Sequence, residues 1–205
     1  MTDDDAKDTV AVLDPRGDGN CGPRAVALAV FGLESSWVKV KRMMKTTVTN
    51  KKEVYETYIS ILREFPSADY VIDKLDFEEE ECDEEYWFDT MVYPQIIADT
   101  FRRPVVMLSS SKRQFQATGV ETDTYGNAMY NKERVTFVPL FDLDINYQYD
   151  PIILLNVDRH FLTVVRDVKI TNSVSEPYTR WPVTINVLHA TTMDAHKDAF
   201  KKTNQ

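Results

Sequence analysis

The sequence predicts an α+β domain, because helical patterns fill most of its first half and strand patterns fill its second half. A doubly wound sheet would need strands and helices that alternate along the chain. The chain has 205 residues, of which 43% are hydrophobic, so it can bury a full core without disulfides or a structural metal. We expect one domain at residues 9–168, a flexible N-terminus at residues 1–8 and a C-terminal extension at residues 169–205.

The individual elements follow from hydrophobic spacing and from turn residues. The predicted helices are residues 24–31, 37–47, 51–65 and 87–102. The predicted strands are residues 10–13, 104–109, 134–139, 152–156, 160–167 and 182–188, and residues 191–205 form a helix or a tail. In the helix at residues 51–65, helical spacing predicts a buried stripe of Val54, Tyr58, Ile61, Leu62 and Phe65.

The charge and cysteine counts exclude several classes of protein. With 24 basic and 33 acidic residues, the net charge is −9 and the pI is near 4.9, the opposite of a nucleic-acid-binding surface. The two cysteines, Cys21 and Cys82, are too few for a disulfide framework or a four-cysteine zinc site. No apolar run approaches the ~20 residues of a membrane span or resembles a secretory signal. We therefore expect a cytoplasmic monomer that binds neither nucleic acid nor membrane and holds no metal or cofactor.

Cys21 is the candidate nucleophile. It lies where a glycine-rich turn meets a predicted helix, and the positive end of a helix dipole lowers the pKa of a thiol. Gly19 and its neighbouring glycines let backbone N–H groups approach the sulfur, as an oxyanion hole requires. Asp18 and Asn20 add polar groups that brace the loop or donate to the oxyanion. A buried cysteine beside an ordinary turn has the same residue pattern, so spacing alone leaves both interpretations open.

The general base must be one of three histidines. His196 lies in a polar tail, and His189 follows a predicted strand without distinctive surroundings, so a surface or packing role suits both. His160 opens a strand directly after a tight connection, where its ring projects from a fixed sheet end. A cysteine on a helix with a histidine on a sheet edge is the arrangement of papain-like proteases. A purely structural histidine is the alternative.

Three blocks, in order, resemble the ovarian tumour (OTU) superfamily of cysteine proteases, and together they cover residues 8–168. The blocks are Gly17-Asp18-Gly19-Asn20-Cys21 with Arg24-Ala25, Trp87 with the segments at 96–98 and 104–108, and residues 152–156 leading to His160-Phe161. The resemblance implies a papain-like fold with a small, mostly antiparallel central sheet flanked by helices.

The resemblance also implies an activity. Members of the family remove ubiquitin or a ubiquitin-like protein by hydrolysing the isopeptide bond after its C-terminal Gly-Gly. Carried over to this sequence, Cys21 is the nucleophile of an acyl-enzyme mechanism and His160 is the general base. Asp18 matches the aspartate that in many relatives shapes the active-site loop or oxyanion hole, and Gly19 and Asn20 belong to that loop. The implied partners are ubiquitin or a relative and its conjugates.

The sequence departs from the family pattern at two points. Gly22-Pro23 replaces the leucine–aromatic pair of many cellular members. A glycine directly after the cysteine is similar to some viral members, but those carry a zinc finger, which two cysteines and three histidines do not favour here. Leu162 stands where many relatives carry the Asp or Asn that orients the histidine. The acceptor must then be Asp18 or Asp14, of which we expect Asp18, unless the site works as a dyad or is impaired.

The acidic run at residues 76–85 has two interpretations: a solvated loop, or a surface for the cationic tail of a ubiquitin-type substrate. We expect Cys82, inside this run, to be unreactive, since acidic neighbours disfavour the thiolate. The main functional prediction is an active thiol isopeptidase. The alternatives are a catalytically silent OTU-like module that binds ubiquitin or another partner, as Leu162 suggests, and a viral protease that cleaves its own polyprotein in the host cytosol.

Overall fold

A computed structural model describes residues 9–109, 134–141 and 151–166. In these ranges the helices are α1 Cys21–Phe31, α2 Trp37–Asn50, α3 Lys52–Leu62, α4 Ala68–Asp76 and α5 Val92–Phe101. The strands are β1 Thr9–Leu13, β2 Val105–Ser109, β3 Arg134–Phe137, β4 Ile152–Val157 and β5 His160–Arg166. Short 3-10 turns are formed by Glu34–Ser36 and Glu84–Tyr86. No helix among the described residues is long and apolar enough to cross a membrane.

The described strands form one sheet in the order β1-β5-β4-β2-β3. Only β2 and β4 run parallel, and the other pairs are antiparallel. A two-residue turn, Asp158-Arg159, joins β4 to β5, and both residues have positive φ angles, as this kind of tight hairpin requires. The predicted fold class, an α+β domain with a small, mostly antiparallel sheet and flanking helices, is confirmed.

The sheet buries apolar side chains on both faces. Ile152 and Leu154 of β4 belong to the main core with the helices, whereas Ile153 and Leu155 lie in a second cluster on the opposite face. Burial on both faces explains why β4 is a continuous apolar run rather than an alternating pattern. The Thr163 hydroxyl donates to the Ala25 carbonyl over 2.6 Å and fastens β5 to α1.

The predicted buried stripe of α3 is partly wrong. Tyr58 is buried as predicted, and Leu62 and Phe65 pack partly buried against the core. Val54 and Ile61 are exposed, and the helix buries Tyr55 and Ile59 in their place. Both sets have helical spacing, so the pattern of α3 alone cannot distinguish them. The Tyr58 hydroxyl donates to the carbonyl of Met91, just before α5, which helps to fix the orientation of the helix.

Two other helices differ from the sequence prediction. The helix predicted from residue 87 begins only at Val92, because the Asp89 carboxylate accepts hydrogen bonds from the N–H groups of Met91 and Val92 and caps the helix there. Helix α4 was not predicted, although Ser67 caps it by accepting from the Tyr70 N–H. The elements predicted at residues 182–188 and 191–205, together with His189 and His196, lie outside the described residues, and the proposed domain boundaries stay predictions.

Candidate active site

Cys21 is the first residue of α1 and is buried, with 7% of its surface exposed. Burial raises the pKa of its thiol above the ordinary value, and the charge of Asp18 adds to this increase. Hydrogen bonds from the backbone N–H groups of Phe161 and Gly22 lower the pKa, but they do not reverse the shift. The resting thiol is therefore protonated at neutral pH and needs a base to become a nucleophile.

His160 lies at the start of β5, directly beside the N-terminus of α1. The neighbouring N–H of Phe161 reaches the Cys21 thiol, so the beginning of the strand and the beginning of the helix meet. The imidazole Cε1 and Nδ1 atoms lie 3.7 and 3.9 Å from the position that a Cβ on Gly17 would take. The ring thus packs on the loop that precedes Cys21, and the two predicted residues lie on adjoining elements, the start of α1 and the start of β5.

Asp14 is the hydrogen-bonding partner of this histidine. Its Oδ1 lies 2.7 Å from His160 Nε2. Asp14 directly follows β1, which pairs with β5 so that Leu13 stands opposite Thr163. This pairing places the carboxylate beside the ring without an acceptor at position 162, and Leu162 packs on the apolar cluster of the outer sheet face. With Nε2 on Asp14, Nδ1 is the ring nitrogen left to take the thiol proton.

The expectation that Asp18 orients the histidine is corrected by the structure. Its carboxylate forms a buried pair with Arg24, with Oδ2 2.6 Å from Nη2 and 3.0 Å from Nε. Asp18 Oδ1 also accepts from the Asn20 N–H over 3.0 Å. The guanidinium of Arg24 in turn lies over the Trp37 ring, 5.1 Å from its centroid. Asp18 therefore braces the loop before Cys21 through its contacts with α1.

Residues 78–86, which we call the acidic segment, lie against the same loop. The Cys82 N–H donates to the Asp18 carbonyl over 3.0 Å. The Asn20 Nδ2 donates to the carbonyls of Glu79 and Glu80 over 3.0 and 3.2 Å. Because these bonds occupy the Asn20 amide, it braces the loop and does not point to an oxyanion. The Arg16 guanidinium, in the same loop, also donates to the Glu81 carboxylate over 3.2 Å, so backbone and side-chain contacts both join the segment to the loop. No local feature of the sequence indicated the backbone contacts.

Gly19 is required where the acidic segment crosses the loop. Its φ is +88°, and a Cβ there would lie 2.2 Å from the Cys82 carbonyl oxygen.

Both cysteines are free thiols. Burial raises the pKa of Cys82, and the nearby charge of Lys41 lowers it in part. The main cause is burial rather than the acidic neighbours, and Cys21 shares this direction of shift, so the unreactivity of Cys82 stays a prediction. Among the described residues no cluster of His, Cys, Asp or Glu is suited to hold a metal ion.

Comparison with solved structures identifies the class of fold. The chain is similar to the viral OTU domain protease from Qalyub virus, with 17% identity, 80% of this chain and 87% of that chain covered, and a TM-score of 0.50. It is also similar to the viral OTU domain protease from Dera Ghazi Khan virus, with 12% identity, coverage of 77% and 81%, and a TM-score of 0.51. No family model and no curated protein matches the sequence.

The chain therefore has the OTU fold, with viral OTU proteases among its structural neighbours. This confirms the resemblance that the three sequence blocks indicated. At these identities the likeness concerns the fold, and the chemistry of the site has to be argued from its own residues.

Proposed function

We propose that this chain is an OTU-type thiol hydrolase that removes ubiquitin or a ubiquitin-like protein from its conjugates in the cytoplasm. The observation that carries the proposal is the arrangement at the start of α1. The backbone N–H of Phe161 contacts the Cys21 thiol, and the neighbouring His160 forms a hydrogen bond with Asp14 through its Nε2 atom. A buried thiol with a raised pKa, next to a histidine whose far nitrogen is anchored on a carboxylate, is suited to base-assisted nucleophilic attack.

In the proposed reaction, Cys21 Sγ attacks the carbonyl carbon of the terminal glycine of the substrate. The thiol proton passes to Nδ1 of His160, and the resulting imidazolium is stabilised through Nε2 by Asp14. When the C–N bond breaks, His160 returns this proton to the leaving lysine amine and a thioester remains on Cys21. A water molecule, deprotonated by His160, then attacks the thioester, releases the carboxylate and restores the thiol.

Charge on the tetrahedral intermediate needs N–H donors close to the Cys21 sulfur, and the Gly22 N–H already contacts that thiol in the resting site. The N–H groups at the first turn of a helix have no partner within the helix. In α1 these include the N–H groups of Cys21 and Gly22, and Pro23 has none to offer. We therefore assign the oxyanion to the backbone of Cys21 and Gly22, and we assign Asn20 and Asp18 a bracing role.

The test is a ubiquitin probe with a C-terminal electrophile, compared between the wild type and Cys21→Ala. We expect a covalent adduct of one probe per protein, formed by the wild type and by Cys82→Ser but not by Cys21→Ala, as measured by intact mass. Probes made from ubiquitin-like proteins determine which of these substrates is preferred.

The same experiment separates the alternatives. Tight binding of the probe without an adduct would identify a silent ubiquitin-binding module. Absence of reaction with every probe, together with cleavage of a viral precursor, would identify a polyprotein-processing protease. Either result would replace the proposed hydrolase.

A further inference from the structure

A cavity of about 390 Å³ lies between α4 and the acidic segment, and the reaction at Cys21 does not use it. Its aromatic walls are Tyr70 from α4, Phe77 just after α4, and Tyr86 from the 3-10 turn. Phe77 and Tyr86 stack with their ring centroids 3.9 Å apart, and Tyr70 packs on Phe65. The walls are therefore fixed by packing, which reduces the ordering cost that a ligand would have to meet.

Lys74 is buried in this cavity, with only 5% of its surface exposed. Its Nζ lies 4.7 Å from the ring centroid of Tyr70 and 4.9 Å from that of Tyr86. Among the residues that the structure describes, no oxygen atom accepts a hydrogen bond from this ammonium group. The ring faces replace part of its hydration. Its N–H donors are open to the cavity, where the oxygen of a ligand can replace water as their acceptor.

The rim of the cavity has the opposite charge. Asp73, Asp76 and Glu85 line it and are exposed. Asp76 forms an ion pair with Lys45, whereas Asp73 forms none with a described residue. Because Asp76 is already paired with Lys45, Asp73 and Glu85 give the rim its negative charge, which repels a simple anion and attracts a cation. The ligand must therefore offer a neutral oxygen to the interior and a positive charge to the rim.

We propose that this cavity binds a basic segment of a protein partner, with a main-chain carbonyl on Lys74 and an arginine or lysine side chain at the Asp73–Glu85 rim. A peptide carries both groups on each basic residue, and guanidinium groups pair well with carboxylates and with aromatic faces. This site is additional to the proposed hydrolase and requires no chemistry at Cys21. The acidic segment connects the two, since Cys82 is bonded to the loop before Cys21.

The test is an NMR titration of the full chain carrying Cys21→Ala with N-acetylarginine N-methylamide, which holds both a carbonyl and a guanidinium. We expect saturable shifts of the Tyr70 and Tyr86 signals. N-acetylnorleucine N-methylamide lacks the cation and butylguanidinium lacks the carbonyl, so each should bind several-fold more weakly. The proposal is overturned if the arginine probe causes no saturable shift at these rings, or if either partial probe binds as tightly.

The matched variants test the rim. Asp73→Asn with Glu85→Gln removes two negative charges and should weaken the arginine probe roughly 5-fold, at the upper end of exposed charge pairs. Glu53→Gln with Glu64→Gln removes the same charge on and just after α3 and should leave the affinity unchanged. If both pairs of substitutions weakened binding of the arginine probe equally, the effect would come from the overall charge of the protein rather than from contacts at the rim. Because binding is read without turnover, the result stands whether or not the Cys21 probe reacts.

Discussion

At the scale of single residues, the choice between Asp14 and Asp18 decides how the histidine is oriented. Both aspartates belong to the same turn, so their sequence positions alone do not separate them. Arg24, one turn into α1, takes Asp18 into a buried ion pair, whereas the pairing of β1 with β5 brings Asp14 to His160. The second contact joins residues 146 positions apart and is set by sheet topology, which local patterns do not encode.

Substitution of Asp14 tests its positioning role. Asp14→Ala should lower kcat on the order of 100-fold with little change in KM, because the imidazole loses its anchor but the substrate contacts remain. Asp14→Asn keeps a side-chain oxygen that can accept from Nε2–H, so we expect it to retain more activity than the alanine variant. Both are measured with a fluorogenic ubiquitin substrate over pH 5–9.

The control for this pair is Asp69→Ala, which removes an exposed carboxylate from α4 and should leave kcat unchanged. If Asp14→Ala kept full activity at every pH, then either another group would orient His160 or the histidine would work without a hydrogen-bond acceptor. A dyad would then replace the proposed triad.

At the scale of elements, the acidic segment shapes the site through its backbone. Its bonds run from backbone groups to Asp18 and Asn20, and Gly19 is the point of closest approach. The side chains of this segment predicted an acidic surface, and its exposed carboxylates are compatible with that interpretation. The close approach was not predictable, because neither a run of glutamates nor a glycine two residues before Cys21 specifies which backbone groups will meet.

Two glycines with positive φ allow a matched comparison. Gly32→Ala should lower the free energy of unfolding by about 1 kcal/mol, since its φ is +68° but no atom lies within 4 Å of the added Cβ. Gly19→Ala incurs similar strain and also drives the Cβ into the Cys82 carbonyl, so we expect about 3 kcal/mol and loss of probe labelling. Urea unfolding and labelling are measured on both, and equal effects on labelling would argue against a close approach at Gly19.

The helices show where sequence patterns succeed and fail. Helices α1 and α2 were predicted at nearly the right positions, because their apolar spacing and the Gly32 stop are local signals. Two of the five residues predicted for the buried stripe of α3, Val54 and Ile61, are exposed, because neighbouring positions on the helix had equally suitable spacing. The start of α5 was predicted too early. The Asp89 carboxylate accepts a hydrogen bond from the N–H of Val92, the first residue of the helix, and residues 87–91 have a composition that also suits a helix.

At the scale of the whole molecule, two half-buried aspartates of the α5 region, Asp89 and Asp99, make stability depend on pH. Burial raises the pKa of Asp89 to about 6, although two backbone N–H groups donate to it. Burial likewise raises the pKa of Asp99 to about 6, against hydrogen bonds from Tyr55 and Gln95. The folded form holds these protons more tightly than the unfolded chain, where a carboxyl pKa is about 3.9, so each group adds stability as the pH falls from 7 towards 4.

Asp89→Asn removes one of these contributions while keeping an oxygen to cap α5. The stability of the wild type relative to the variant should be greater at pH 4.5 than at pH 7.5 by about 2 kcal/mol, as measured by urea unfolding. Asp99 makes the same contribution to the pH dependence of stability in both proteins. The exposed Asp73→Asn serves as the control and should show no such difference, and parallel pH curves for Asp89→Asn and the wild type would contradict the raised pKa.

The pairing of the first described strand with the last also determines when the site comes into existence. Asp14 leaves the ribosome 146 residues before His160. At synthesis rates of roughly 5–20 residues per second, the interval is on the order of 10–30 seconds. During that time β1 lacks its partner β5, and Cys21 lacks the covering N–H of Phe161. The His160–Asp14 pair that the proposed mechanism requires forms only when β5 closes the sheet.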